Sequence, residues 1–95
     1  MRTHNDYDGI VANGTSLMGY VDASYGKLRS VFGPPLSGSS GDGKVQCEWL
    51  IEFDDGTVGT IYDYKSSVAP EHNRDWHVGG RVHRVVAMIQ SELNR

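Results

Sequence analysis

The run Trp76-His77-Val78-Gly79-Gly80-Arg81-Val82-His83-Arg84 gathers the side chains best suited to hold an anion. Read as a pair of glycines opening a helix, it brings unpaired backbone N–H groups and the positive end of a helix dipole to one place. Arg81 and Arg84 add guanidinium donors that match phosphate or carboxylate, and His77 adds another. Trp76 supplies a flat face on which a base can stack. Trp76, His77, Gly79, Gly80, Arg81 and Arg84 are therefore the candidate ligand-binding residues, suited to a phosphate-bearing small molecule or an acidic partner surface. The same run has a plainer reading. Trp76 then belongs to the core, the glycines let the chain turn tightly beneath a sheet, and the arginines are solvated.

A second group is Tyr62-Asp63-Tyr64 with Leu50, a candidate interaction surface because tyrosine is enriched where proteins bind one another. Packed aromatics on the faces of a sheet account for it with less. Asp63 acting with His77 would make a small hydrolase if the connector between them folded back over the strands. Against that, Glu48 and Glu52 fit the solvent face of a strand, and Asp54 and Asp55 fit a turn. The chain has four histidines and a single cysteine. The spacing of His4, His72, His77 and His83 matches no standard zinc pattern, so neither a metal nor a cofactor is expected. Cys47 lies within an apolar alternation and reads as a small buried hydrophobe of a reducing compartment.

The chain has 95 residues, 38% of them hydrophobic and 22% charged, which fits one ordinary globular domain. A net charge of −3 disfavours broad attraction to nucleic acid or to an anionic membrane. The basic residues gather late, at Arg74, Arg81, Arg84 and Arg95, which leaves room for a local anion site. There is no apolar run long enough to span a membrane and no leading signal peptide, so a cytoplasmic location is expected.

The elements that must position these residues follow from periodicity. Residues 1–13 read as a flexible N-terminal arm and 14–95 as a single domain. Thr15 to Val21 is short and apolar, an edge strand. Ser24 to Phe32 is helical, with Tyr25, Leu28, Val31 and Phe32 in one stripe, Asp22 or Ser24 as the cap, and Gly33-Pro34-Pro35 as the stop. Gly26 lowers its helix propensity, which suggests a close backbone approach there. Ser37 to Gly43 is glycine-rich but lacks the ending and the setting of a phosphate-binding loop, so it reads as a linker. A central hairpin over 44–65 turns at Asp55-Gly56. A two-residue turn sets Trp49 opposite Tyr62 and Glu48 opposite Asp63. A type I turn with a glycine bulge slips this by one and brings Ile61 onto the Trp49 face. Both remain open. Ser66 to Asp75 is a polar connector. A helix over about 81–93 carries Val82, Val85, Val86, Ile89 and Leu93 on one side, and is expected to pack across the sheet. The fold class is α+β, with about three antiparallel strands and two helices in the order β-α-β-β-α. Leu50 and Ile61 on the second sheet face leave room for a homodimer.

The pieces Tyr25…Leu28…Phe32-Gly33-x-Pro35, Trp49…Phe53-x-Asp55-Gly56-Thr57, Thr60-Ile61-Tyr62-Asp63-Tyr64-Lys65 and Trp76-His77-Val78-Gly79-Gly80 resemble a family of small uncharacterised proteins encoded by tailed bacteriophages. The likeness spans about Gly14 to Gly80. It implies a non-structural, non-enzymatic phage accessory protein of the host cytoplasm. Such a protein would inhibit a host factor or blunt a defence system, by binding a host protein or by sequestering a nucleotide signal. The family carries no site residues to transfer.

Overall fold

The computed structural model describes residues 2–4, 16–35, 47–63 and 69–94. Tyr64, the Ser37 to Gly43 linker and most of the expected arm lie outside the described residues. The strands are β1 (Arg2–His4), β2 (Ser16–Asp22), β3 (Glu48–Glu52), β4 (Val58–Tyr62) and β5 (Asp75–Gly80); the helices are α1 (Tyr25–Phe32) and α2 (Arg84–Leu93). A 3-10 turn, Pro70–His72, precedes β5. The class is α+β, with an antiparallel sheet and two helices. The strand count and order differ from the expectation. Four strands run β3-β4-β5-β2, and the short β1 adds a fifth at the β3 edge, so part of the expected arm belongs to the sheet.

The larger correction concerns Trp76 to Gly80. These residues do not open a helix. They form β5, which lies between β4 and β2, and α2 begins only at Arg84. The glycine pair suggested punctuation, yet Trp76 and Val78 alternate with His77 as strand residues do. Glycine is needed here for packing. Gly59 and Gly80 are register partners on β4 and β5, and Val85 of α2 lies directly over both. A Cβ placed on Gly59 would come within 2.6 Å of Val85 Cγ2, and one on Gly80 within 2.7 Å of Val85 Cγ1. The helix settles into a saddle that any larger residue would fill.

The hairpin adopts the slipped register. Trp49 pairs with Ile61, Leu50 with Thr60 and Glu48 with Tyr62. Gly56 has φ 88°, donates its N–H to Phe53 O at 2.9 Å, and sits inside the Phe53 N–H to Thr57 O bond of 2.8 Å. That is a type I turn closed by a glycine bulge, and it removes the Glu48–Asp63 opposition of the alternative.

Helix α1 behaves as its pattern requires. Ser24 is the N-cap, its Oγ accepting from Lys27 N at 3.1 Å, and Gly33 closes the other end with φ 81°. Around Gly26, by contrast, a Cβ would meet nothing within 4 Å, so no close approach explains that glycine. In α2 the buried positions are Val85, Ile89 and Leu93, each contributing about 1.5–3 kcal/mol by removal from water. Val82, expected on the same stripe, precedes the helix and is 43% exposed.

The core lies between the sheet and the helices. Trp49 and Trp76 are both fully buried there and meet edge to face, with ring centroids 5.4 Å apart. Their indole N–H groups reach backbone at the two ends of α1. Trp76 Nε1 donates to Ala23 O at 2.9 Å, and Trp49 Nε1 to Gly33 O at 2.8 Å. Each bond satisfies a buried polar group while fixing where the helix begins and stops.

Candidate functional site

Strand alternation divides the residues singled out by their chemistry. On β5, Trp76, Val78 and Gly80 face the helices, while His77 and Gly79 face the other way. Trp76 is therefore core, and its face is spent on Trp49. The six candidate ligand residues do not converge on one point. Only Arg81 and Arg84 meet, at a hollow of about 220 Å³ lined also by Asp55, Gly56, Thr57, Val58 and Val82.

Within that hollow Arg84 is committed. Its Nη2 donates to Thr57 Oγ1 at 3.1 Å and to Asp55 Oδ2 at 3.3 Å, tying the start of α2 to the hairpin turn. Asp55 Oδ1 in turn accepts from Thr57 N at 2.9 Å. The hydroxyl and then the N–H of Thr57 hold the Asp55 carboxyl below the usual carboxylate range, with Arg84 adding a smaller pull. An anion entering here would compete with an ionised aspartate for the same guanidinium. His83, the N-cap of α2, makes no side-chain capping bond.

The second group is divided too. Leu50 and Asp63 are fully buried, and Tyr62 is half-buried. Asp63 extends the β3–β4 ladder: its N–H donates to Cys47 O at 3.3 Å, and its Oδ1 accepts from Cys47 N at 2.9 Å. The register partner of His77 is Tyr62, not Asp63. Cys47 is buried, and that burial, with the Asp63 charge as a lesser cause, pushes its thiol up to about 12. A thiol so poised stays protonated and is no nucleophile near neutral pH. No group of three or more His, Cys, Asp or Glu side chains that could hold a metal ion occurs among the described residues.

What the structure does assemble is a row of rings on the sheet face away from the helices. Tyr20 of β2, His77 of β5 and Tyr62 of β4 are successive register partners. Tyr20 meets His77 edge to face at 5.0 Å between centroids, and His77 stacks on Tyr62 at 5.3 Å with 24° between planes. Tyr20 is 62% exposed, and Leu17, on the same strand, is 47% exposed. Gly79 faces this side beside the row. A Cβ there would lie 2.6 Å from Thr60 Oγ1 and 3.4 Å from Tyr62 Cε1, so the glycine makes room chiefly for the Thr60 hydroxyl. The row includes Tyr62, which the tyrosine argument singled out. It depends equally on Tyr20 and His77, which that argument did not join to it. The missing step was β5: without it, nothing places β2 beside the hairpin.

No protein-family model, curated protein or solved structure matches the chain. No helix among the described residues is long and apolar enough to cross a membrane.

Proposed function

We propose that this protein acts by binding, without chemistry of its own, and that it docks a partner protein on the sheet face opposite α1 and α2, around Tyr20, His77, Tyr62 and Leu17. The observation that carries this reading is Tyr20: the residue is 62% exposed, yet its ring is held by contact with His77. A large amphipathic side chain that is already positioned loses little freedom on binding, which is why such residues anchor interfaces. In the setting that the phage resemblance implies, the partner is a host factor or a component of host defence in the bacterial cytoplasm, and the protein inhibits it.

The test is affinity capture from host lysate with mass spectrometry of proteins and small molecules, run on the natural chain and two variants. A protein partner retained by the natural chain and by Arg81→Ala/Arg84→Ala, but lost from Leu17→Ser/Tyr20→Ala, is the expected result. Equal retention by all three contradicts the assignment of the face.

A phosphate-bearing ligand is the second reading, favoured by the meeting of Arg81 and Arg84 at one hollow. Thermal stabilisation by a nucleotide, abolished in Arg81→Ala/Arg84→Ala, would move the function there. Turnover of a phosphodiester panel, abolished by Asp63→Asn, would instead make the protein a small hydrolase.

A further inference from the structure

The ring row ends in charge. Two register positions beyond Tyr20 and His77, on the same face, Asp22 of β2 and Asp75 of β5 are register partners, and both are exposed. Like charges placed directly across a ladder are unfavourable, so an opposite charge should be close. Arg74 answers one of them, its Nε lying 3.0 Å from Asp22 Oδ1 with both side chains largely in water. Asp75 has no ion pair of its own among the described residues. At the other end of the row, Glu48 is the register partner of Tyr62. Asp75 therefore stands diagonally across from Tyr20 on the same face, with no ion pair among the described residues, on a chain whose net charge is −3.

We propose that the partner presents a basic segment to this face, with an arginine or lysine side chain laid over the Tyr20 ring and its charge held by Asp75. The negative face of an aromatic ring attracts a cation, and a neighbouring carboxylate adds to that attraction. Leu17, on the other side of Tyr20 along β2, takes an apolar neighbour of the basic residue. This inference rests on the binding face proposed above and adds the chemistry of what docks there.

Titration followed through the amide resonances tests it. The probes are acetyl-Arg-Leu-Arg-amide, acetyl-Ser-Leu-Ser-amide and acetyl-Glu-Leu-Glu-amide. The arginine peptide is expected to give saturable shifts centred on Tyr20, Asp75 and His77, with the serine and glutamate peptides giving none. Asp75→Asn weakens that binding about threefold and Tyr20→Ala about fivefold, while Tyr20→Phe leaves it unchanged. Raising the salt weakens it further, as exposed charges require. Equal shifts from the serine or glutamate peptide, shifts confined to the Asp55–Arg84 hollow, or no shifts at all would each overturn the basic-segment assignment. If Leu17→Ser/Tyr20→Ala still loses its captured partner in any of those cases, the face stands and only the charge preference fails.

Discussion

Cys47 shows how far a residue's type can mislead without its surroundings. A lone cysteine invites thoughts of reactivity, but this one is walled in by the core and hydrogen-bonded through its backbone to Asp63. Burial raises its pKa to about 12, so the folded state prefers the neutral thiol more strongly than the unfolded chain does. The sign follows: the contribution to stability is complete below the unfolded thiol's pKa of about 8.5 and fades as pH rises from there toward 12. A thiol-specific chromogenic disulfide is therefore expected to leave Cys47 untouched in native buffer near pH 7.5 and to modify it fully once denaturant unfolds the chain. Stoichiometric labelling of the native protein within seconds would contradict the placement of Cys47 in the core.

Among elements, the contact between α2 and the sheet carries the sharpest constraint. Gly59 and Gly80 lie beneath Val85, where a methyl group would come within 2.6–2.7 Å of its side chain. Gly59→Ala is expected to destabilise by about 1–3 kcal/mol in chemical denaturation. Val85→Ala, by leaving a cavity, is expected to cost about 1–3 kcal/mol as well. Together they should cost clearly less than their sum, because each relieves the other's defect. Strict additivity would mean that α2 does not rest in the glycine saddle. Gly26 is the counterexample: with open space around it, Gly26→Ala should stabilise by up to about 1 kcal/mol, and a loss of stability would show an unrecognised contact.

The same saddle explains what the amino-acid pattern could not reveal. Apolar spacing announced α1, the hairpin strands and most of the stripe on α2, since burial imposes those periods locally. The turn at Asp54-Asp55-Gly56 satisfied two registers equally, and only packing on the third dimension selects between them. Gly79-Gly80 read as a break because glycine weakens an isolated strand. Gly80 is required by Val85 at the start of α2, and Gly79 by Thr60 on the opposite face of the sheet. Losing β5 also scattered the candidate site: it made Trp76 look available, set His77 beside the arginines, and kept Tyr20 apart from Tyr62.

At the scale of the whole molecule, the helices cover one side of the sheet and pin it through the two indole N–H bonds to the ends of α1. Trp76→Phe would remove the partner of Ala23 O, and an unsatisfied buried carbonyl costs about 1–3 kcal/mol. That loss should appear as a lower denaturation midpoint with the Tyr20 face intact, since Trp76 and Tyr20 project to opposite sides. On the other side Leu50, Val58 and Thr60 are buried as well, and the β2–β5 end presents Leu17, Tyr20 and the acidic pair. The exposed side chains Leu17 and Tyr20 lie on the face opposite Trp76 and Val85, so substitutions there are expected to leave the fold intact.

The central claim is that a partner sits on Tyr20 and not at the start of α2. Site-specific photo-crosslinking in the proposed bacterial host addresses it directly, with benzoylphenylalanine introduced in place of Tyr20 in one sample and of Val82 in another. The account expects a discrete crosslinked species from position 20 and none from position 82. Crosslinking from position 82 alone would place the partner on the arginine hollow and contradict the account.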